Sequence, residues 1–291
     1  MSSLSLSTPS MVRRFRRVGA VLLLALIVPT IDILAGVLVA PTVVFMSNKN
    51  RTGRLTIQNP GDKPEEVSVH FSFGIPVTDS MGNVHVALQD SLVTDPNSCL
   101  DWVRAFPRRL ILPPGASQVI RFVASPPSAL DEGEYWSRVV VKSQEAETGA
   151  QPALEEGEIT TKLNMVMQTA IMLKYRNGDL FSEVDLANTD ITDRGDSLEI
   201  MMDLVSKGSA SYVGLLYGRV FDAEDRLVGQ VRYHIAVYRN LRRLMTVPID
   251  PEMNFKRPFR VEVEVTSKGR TDIAAEDMIF GNDINYSMTL E

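Results

Sequence analysis

From Val37 onward, apolar and polar side chains alternate with a period of two, and the runs are cut short by Gly, Pro, Asn and Asp. That period belongs to strands with one wet face, because successive side chains of a strand point to opposite sides. Val39, Val43 and Phe45 open the pattern. Leu55 and Ile57 share one face of the next strand, which Asn59-Pro60-Gly61-Asp62 terminates, and Val67, Val69 and Phe71 (or Phe73) continue the period. Residues 74–104 are less regular, with a hairpin tip expected at Asp79 to Asn83 and a turn at Asp95-Pro96-Asn97. Leu110 and Leu112 form a short strand before Pro113-Pro114-Gly115, Val119 to Val123 form another, and Tyr135 to Val141 alternate around Trp136. About seven short strands with such spacing make an immunoglobulin-like β-sandwich the expected fold.

A polar run, Glu145 to Thr160, separates this pattern from a last alternating stretch that reaches Arg176. Behind Asn177-Gly178-Asp179 the alternation restarts with Leu198, Ile200, Met202 and Leu204, followed by strand candidates at 213–221, 227–237, 243–249 and 259–265. The turns Asp222 to Asp225 and Ser267 to Gly269 join some of them. The chain is therefore expected to be all-β: an N-terminal immunoglobulin-like domain over 37–175 and a C-terminal β-sandwich over 176–291, with little linker between them.

The first 36 residues follow a different rule. Arg13, Arg14, Arg16 and Arg17 precede an apolar run from Val18 to Pro29, with small residues at Ala35 and Gly36. This is the layout of a secretory signal, expected to be cleaved near Ala35 or Gly36. An uncleaved anchor would place Asp32 in hydrocarbon at a cost of roughly 2.5–3.5 kcal/mol, and the run is short for a span of about 20 residues. The 291-residue chain carries a formal charge of −6, and removal of the signal takes away +3 and leaves −9. An exported protein this acidic has no overall field for nucleic acid, and its contact with a membrane would come only through the signal segment if that stayed uncleaved. Cys99 is the single cysteine, so no intramolecular disulfide forms, and it reads as a small buried residue.

Catalytic constellations are missing from the sequence. His70, His85 and His234 are scattered without metal-ligand neighbours, no Ser sits in a nucleophile elbow, and no Gly-rich loop joins a strand to a helix. Asn188 to Asp196 is acidic but lacks the bidentate Glu of a calcium loop, so it reads as a polar turn. The Arg194-Gly195-Asp196 tripeptide within it is too common by chance to argue adhesion. Neither an enzyme nor a cofactor is expected.

The segment from Phe106 to Arg176 resembles the periplasmic pilus-assembly (fimbrial) chaperone family, as a divergent member. The L-x-P-G-x-x-Q-x-x-R pattern is matched by Leu112, Pro114, Gly115, Gln118 and Arg121. The acidic turn before an aromatic-Trp strand is matched by Asp131 to Trp136, and the I-x-L-x-Y-R strand end by Ile171, Leu173, Tyr175 and Arg176. Pro41 to Phe45 and Leu55 to Pro60 resemble the first two strands of the family. The second domain matches only as a β-domain of the right length.

The resemblance implies a periplasmic protein that binds pilus or fibre subunits by lending them a strand, a recognised form of β-strand addition, and delivers them for surface assembly. Pilin-like subunits are the implied partners, and an outer-membrane usher is allowed by the same likeness. The lent side chains fall on Leu163, Met165 and Met167, with Asn164, Val166 and Gln168 on the other face. Periodicity alone leaves open whether that stripe faces a client or the protein's own core. The family also implies an interdomain ion pair at Arg176, with Glu132 named as the first-domain partner, Glu134 as its alternative, and an acid of the second domain beside them. One departure stands out: where the family holds a client's C-terminal carboxylate with two basic residues, this chain has Val43 (or Thr42) and Met172. The alternative function is a structural or adhesive exported protein of two immunoglobulin-like domains with no chaperone role.

Overall fold

The computed structural model describes residues 36–89, 95–147, 164–250 and 252–291, so the N-terminal segment and Leu163 lie outside the described residues. Eleven strands precede Gly178: β1 (Leu38–Ala40), β2 (Val43–Ser47), β3 (Thr52–Gln58), β4 (Glu65–Ser72), β5 (Pro76–Thr78), β6 (Val84–Val86), β7 (Val103–Phe106), β8 (Arg109–Leu112), β9 (Ser117–Ala124), β10 (Gly133–Glu145) and β11 (Val166–Asn177). They form two facing sheets, ordered β1-β3-β9-β7 and β2-β11-β10-β4-β8, with β5 and β6 set apart as a hairpin. At Pro41-Thr42 the chain passes from one sheet to the other. Side chains from both sheets meet in one core around Leu55, Ile57, Ile120, Phe122, Val139, Val141, Leu173 and Tyr175, the arrangement of an immunoglobulin-like sandwich. Cys99 is fully buried in it, and burial pushes its thiol up to about 12.

A tyrosine corner pins the start of β10. The Tyr135 hydroxyl donates to the carbonyl oxygen of Asp131 at 2.9 Å, fastening the turn to the strand it feeds. Tyr135→Phe removes that bond, leaving the carbonyl only the Asn177 side-chain amide as donor at 3.0 Å, and is expected to cost about 1 kcal/mol in urea unfolding. An unchanged midpoint would deny the bond its role.

The second sandwich contains β12 (Val184–Asp193), β13 (Ser197–Ser206), β14 (Tyr212–Phe221), β15 (Leu227–Val237), β16 (Asn240–Pro248), β17 (Phe259–Thr266) and β18 (Ile284–Leu290). Its sheets, β12-β13-β16 and β15-β14-β17-β18, enclose a separate core that includes Leu198, Met202, Leu216, Met245 and Phe259. Here the polar turn expected at Asn188 to Asp196 needs correction. Residues 188–193 are strand, paired with β13 after a bulge between Leu186 and Asn188, and only Arg194-Gly195-Asp196 turns the chain. Because β12 is an edge strand with a wet outer face, its side chains need not be apolar, and the periodic signal is lost. Asp193 and Asp203 on this sheet are held below the usual carboxylate range by hydrogen bonds from Arg257 and Arg242.

The hairpin of β5 and β6 reaches from the first sandwich to the edge of β16. The Arg242 amide donates to Thr78 Oγ1 at 3.0 Å and the Leu244 amide to the Gly82 carbonyl at 3.4 Å. Gly82 has a φ of +78°, and a Cβ there would lie 2.6 Å from the Leu244 nitrogen. Glycine is required at that position by both constraints.

Candidate functional site

Strand β11 is two different objects along its length. Its whole run pairs antiparallel with β10, from Val166 opposite Gln144 to Asn177 opposite Gly133. On the other side β2 pairs with it, in parallel, only from Met172 to Arg176. Among the described residues no strand covers that second side from Val166 to Ile171, so its N–H and C=O groups form an open edge. An edge of this kind is a template for another strand.

The side chains change character at the same point. Ile171, Leu173 and Tyr175 face the interior and belong to the core. Thr169 and Met167 continue that face beyond the core's end, and Met165 lies one residue before the strand begins. Met167 is 42% exposed, Met165 51%, and Val166 on the opposite face 47%. Gly36 lies against Met167, since a Cβ placed on it would be 2.8 Å from Met167 Cγ. Of the three residues singled out from sequence, Met167 and Met165 thus stand at the open end of an inward face, and Leu163 lies outside the described residues. Val43 and Met172 bring no charge to the edge. Met172 is buried among Phe73, Trp136 and Tyr238 on the outer face of the same sheet.

Beside that apolar group sits a buried charge cluster. Glu134 on β10 is fully buried and faces Lys174, itself 2% exposed, and Arg176 on β11. Lys174 Nζ donates to Glu134 Oε1 at 3.1 Å, Arg176 Nε to Oε2 at 3.0 Å, and Trp136 Nε1 to Oε1 at 2.9 Å. The second sandwich completes it. Ser211 Oγ donates to Glu134 Oε1 at 2.5 Å while accepting from Lys174, and Arg176 Nη1 donates to the Asp277 carbonyl at 2.6 Å. Burial alone would raise the Glu134 carboxyl, but Lys174, Arg176 and the hydroxyl and indole donors together outweigh it and hold it at about 2. Burial lowers Lys174, with Glu134 opposing.

This geometry corrects one sequence expectation. Of the two acids expected for Arg176, Glu134 meets it and Glu132 does not, and the second sandwich offers it the Asp277 carbonyl in place of a carboxylate. Register decides: Glu134 stands directly opposite Arg176, whereas Glu132 precedes the strand and its carboxyl group lies against Gly178. Lys174 was not expected in the cluster at all. Its signal was present, as a charged residue inside the I-x-L-x-Y-R stretch where a strand flanked on both sides calls for apolar residues.

Between the sandwiches, a cleft of about 280 Å³ is walled by Val43, Lys174, Tyr238, His234 and Arg243. Among the described residues no three His, Cys, Asp or Glu side chains are placed to hold a metal ion, and no helix is long and apolar enough to cross a membrane.

No family model matches the sequence, and no curated protein does. Solved structures do resemble the chain. The YadV chaperone shares 13% identity over 87% of this chain and 99% of its own, with a TM-score of 0.44. The E. coli chaperone DraB shares 11% over 87% and 98%, with a TM-score of 0.41. The SafB chaperone of Salmonella enterica, solved with the SafA pilin, shares 13% over 88% and 96%, with a TM-score of 0.40.

Proposed function

We propose that the protein is a periplasmic chaperone for pilus or fibre subunits, and that it lends them the N-terminal half of β11. The observation that carries this reading is the open side of that strand between Val166 and Ile171, with Met165 and Met167 exposed on the face that is core a few residues later. A subunit lacking one strand would receive backbone hydrogen bonds from the edge and apolar side chains from the stripe, the two components of strand addition. Thioethers on flexible stems suit a lender that meets more than one groove. Strand addition consumes no nucleotide and breaks no covalent bond, in keeping with a chaperone rather than an enzyme. Export to the periplasm is part of the proposal, as are the subunits as partners. With Val43 and Met172 at the family's basic positions, the client's chain end is not held by a cation there, and the strand contacts carry the affinity.

The test is co-expression with pilin-like subunits of the same genome, followed by co-purification. The wild-type protein is expected to hold such a subunit in a stable complex. Met165→Glu with Met167→Glu is expected to abolish the complex while changing stability by no more than about 0.5 kcal/mol, the usual range for surface substitutions. A variant that unfolds would place the stripe in the protein's own core. A complex that persists would remove the proposed mechanism.

A further inference from the structure

The sheet facing away from the open edge has an outer face with no acid on it. None of its strands, β1, β3, β9 or β7, contains an Asp or Glu, in a chain whose net charge is −6. Three arginines point out of it. Arg54 on β3 stands directly opposite Arg121 on β9, Arg121 is opposite Phe106 on β7, and Arg104 is opposite Val123 one same-face step along. All are exposed, as are Val119 and Val123 between them. Among the described residues none of the three arginines has a carboxylate within 4.0 Å, and Asp101, just before β7, forms no pair with them. In the second sandwich most arginines do reach a carboxylate, Arg194, Arg219, Arg226, Arg242, Arg257 and Arg260 among them, with Arg232 and Arg243 as exceptions among the described pairs.

Like charges directly opposite each other on neighbouring strands destabilise a sheet. The Arg54 and Arg121 pair carries that cost with no carboxylate partner among the described residues. Adjacent strands are about 4.8 Å apart, so guanidinium groups and apolar side chains are interleaved on one flat surface. Arginine and aromatic residues are the types enriched where proteins bind proteins.

We propose that this face docks an acidic protein surface, whose carboxylates pair with Arg54, Arg104 and Arg121 and whose apolar positions cover Phe106, Val119 and Val123. Arginine binds carboxylates through two parallel hydrogen bonds, and covering the apolar residues requires a complementary solid surface, which a layer of lipid headgroups lacks. The site is on a different sheet from β11, so the two can be occupied together.

Titration of the mature protein with poly-L-glutamate, followed by calorimetry, tests it. The overall negative charge repels this probe, so binding would report a local site. Binding that weakens with salt is expected, and Arg54→Gln with Arg121→Gln should weaken it by roughly tenfold or more, about 1.4 kcal/mol. Lys49→Gln with Arg232→Gln, which changes the net charge equally, should leave it unaltered. Absence of binding, or equal loss in both variants, overturns the proposal. Tighter binding to vesicles of phosphatidylethanolamine and phosphatidylglycerol, lost in the first variant, would reassign the face to lipid. Self-association in ultracentrifugation that the first variant abolishes would reassign it to a second copy. Each of these also overturns the proposal.

Discussion

Replacing Glu134 with Gln is expected to lower the unfolding free energy at pH 7 by about 3–5 kcal/mol, the loss seen when one member of a buried ion group is removed. The reason lies in what remains. Lys174 and Arg176 would remain side by side without the buried carboxylate that both contact, and Ser211 would lose its acceptor carboxylate. The same group sets an acid response with a definite sign. Glu134 has a folded pKa of about 2 against 4.5 when exposed. Its contribution is therefore complete above about pH 4.5, declines as pH falls towards 2, and is spent below that. The displacement corresponds to stability on the order of 3 kcal/mol. Urea unfolding from pH 7 to pH 2 should show that decline in the wild type and a shallower one in Glu134→Gln. Identical pH profiles would mean that the cluster does not stabilise the fold. Because Ser211 and Asp277 come from the second sandwich, the variant should also loosen the junction, seen as faster amide exchange near Ser211.

Leu173→Ala is expected to cost about 2–5 kcal/mol, whereas Met165→Ala should stay within about 0.5 kcal/mol. The two residues lie on the same face of one run of chain. Leu173 is fully buried beneath the opposite sheet, and truncating it leaves a cavity that close-packed neighbours fill only in part. Met165 has half its surface in water already. Denaturation midpoints of the two variants measure the difference directly. Similar losses at both sites would show the stripe to be a single piece of core, and would count against strand lending as well.

Much of the fold was legible because strand formation and turn chemistry are local. Leu55 with Ile57, and Leu198 with Ile200, Met202 and Leu204, mark buried faces by spacing alone, and all six are fully buried. The hairpin at Asp79 to Asn83 and the turn at Asp222 to Asp225 were legible from Asp, Asn and Gly; Asp79 receives the Asn83 amide at 2.9 Å, and Asp225 has a φ of +63°. Strand β12 was not legible. Its wet outer face and its bulge erase the two-residue period that identifies a strand.

The site divides along the same line. By itself the sequence determined that apolar side chains alternate through Met165, Met167, Ile171, Leu173 and Tyr175, that a polar stretch precedes them, and that Arg176 ends the run near two acids. Spacing cannot say where along that stripe water begins, because a strand has the same period whether or not a second sheet lies over it. The tertiary structure decided that point, by bringing β2 alongside β11 only from Met172 onward. It also decided the acid. Glu132 and Glu134 are two residues apart and equivalent in sequence, but antiparallel register sets only Glu134 opposite Arg176, and the second sandwich then seals the pair from water. A charge becomes a structural anchor through the neighbours that exclude solvent from it, and those from the second sandwich are distant along the chain, Ser211 lying 77 residues from Glu134 and Asp277 101 from Arg176.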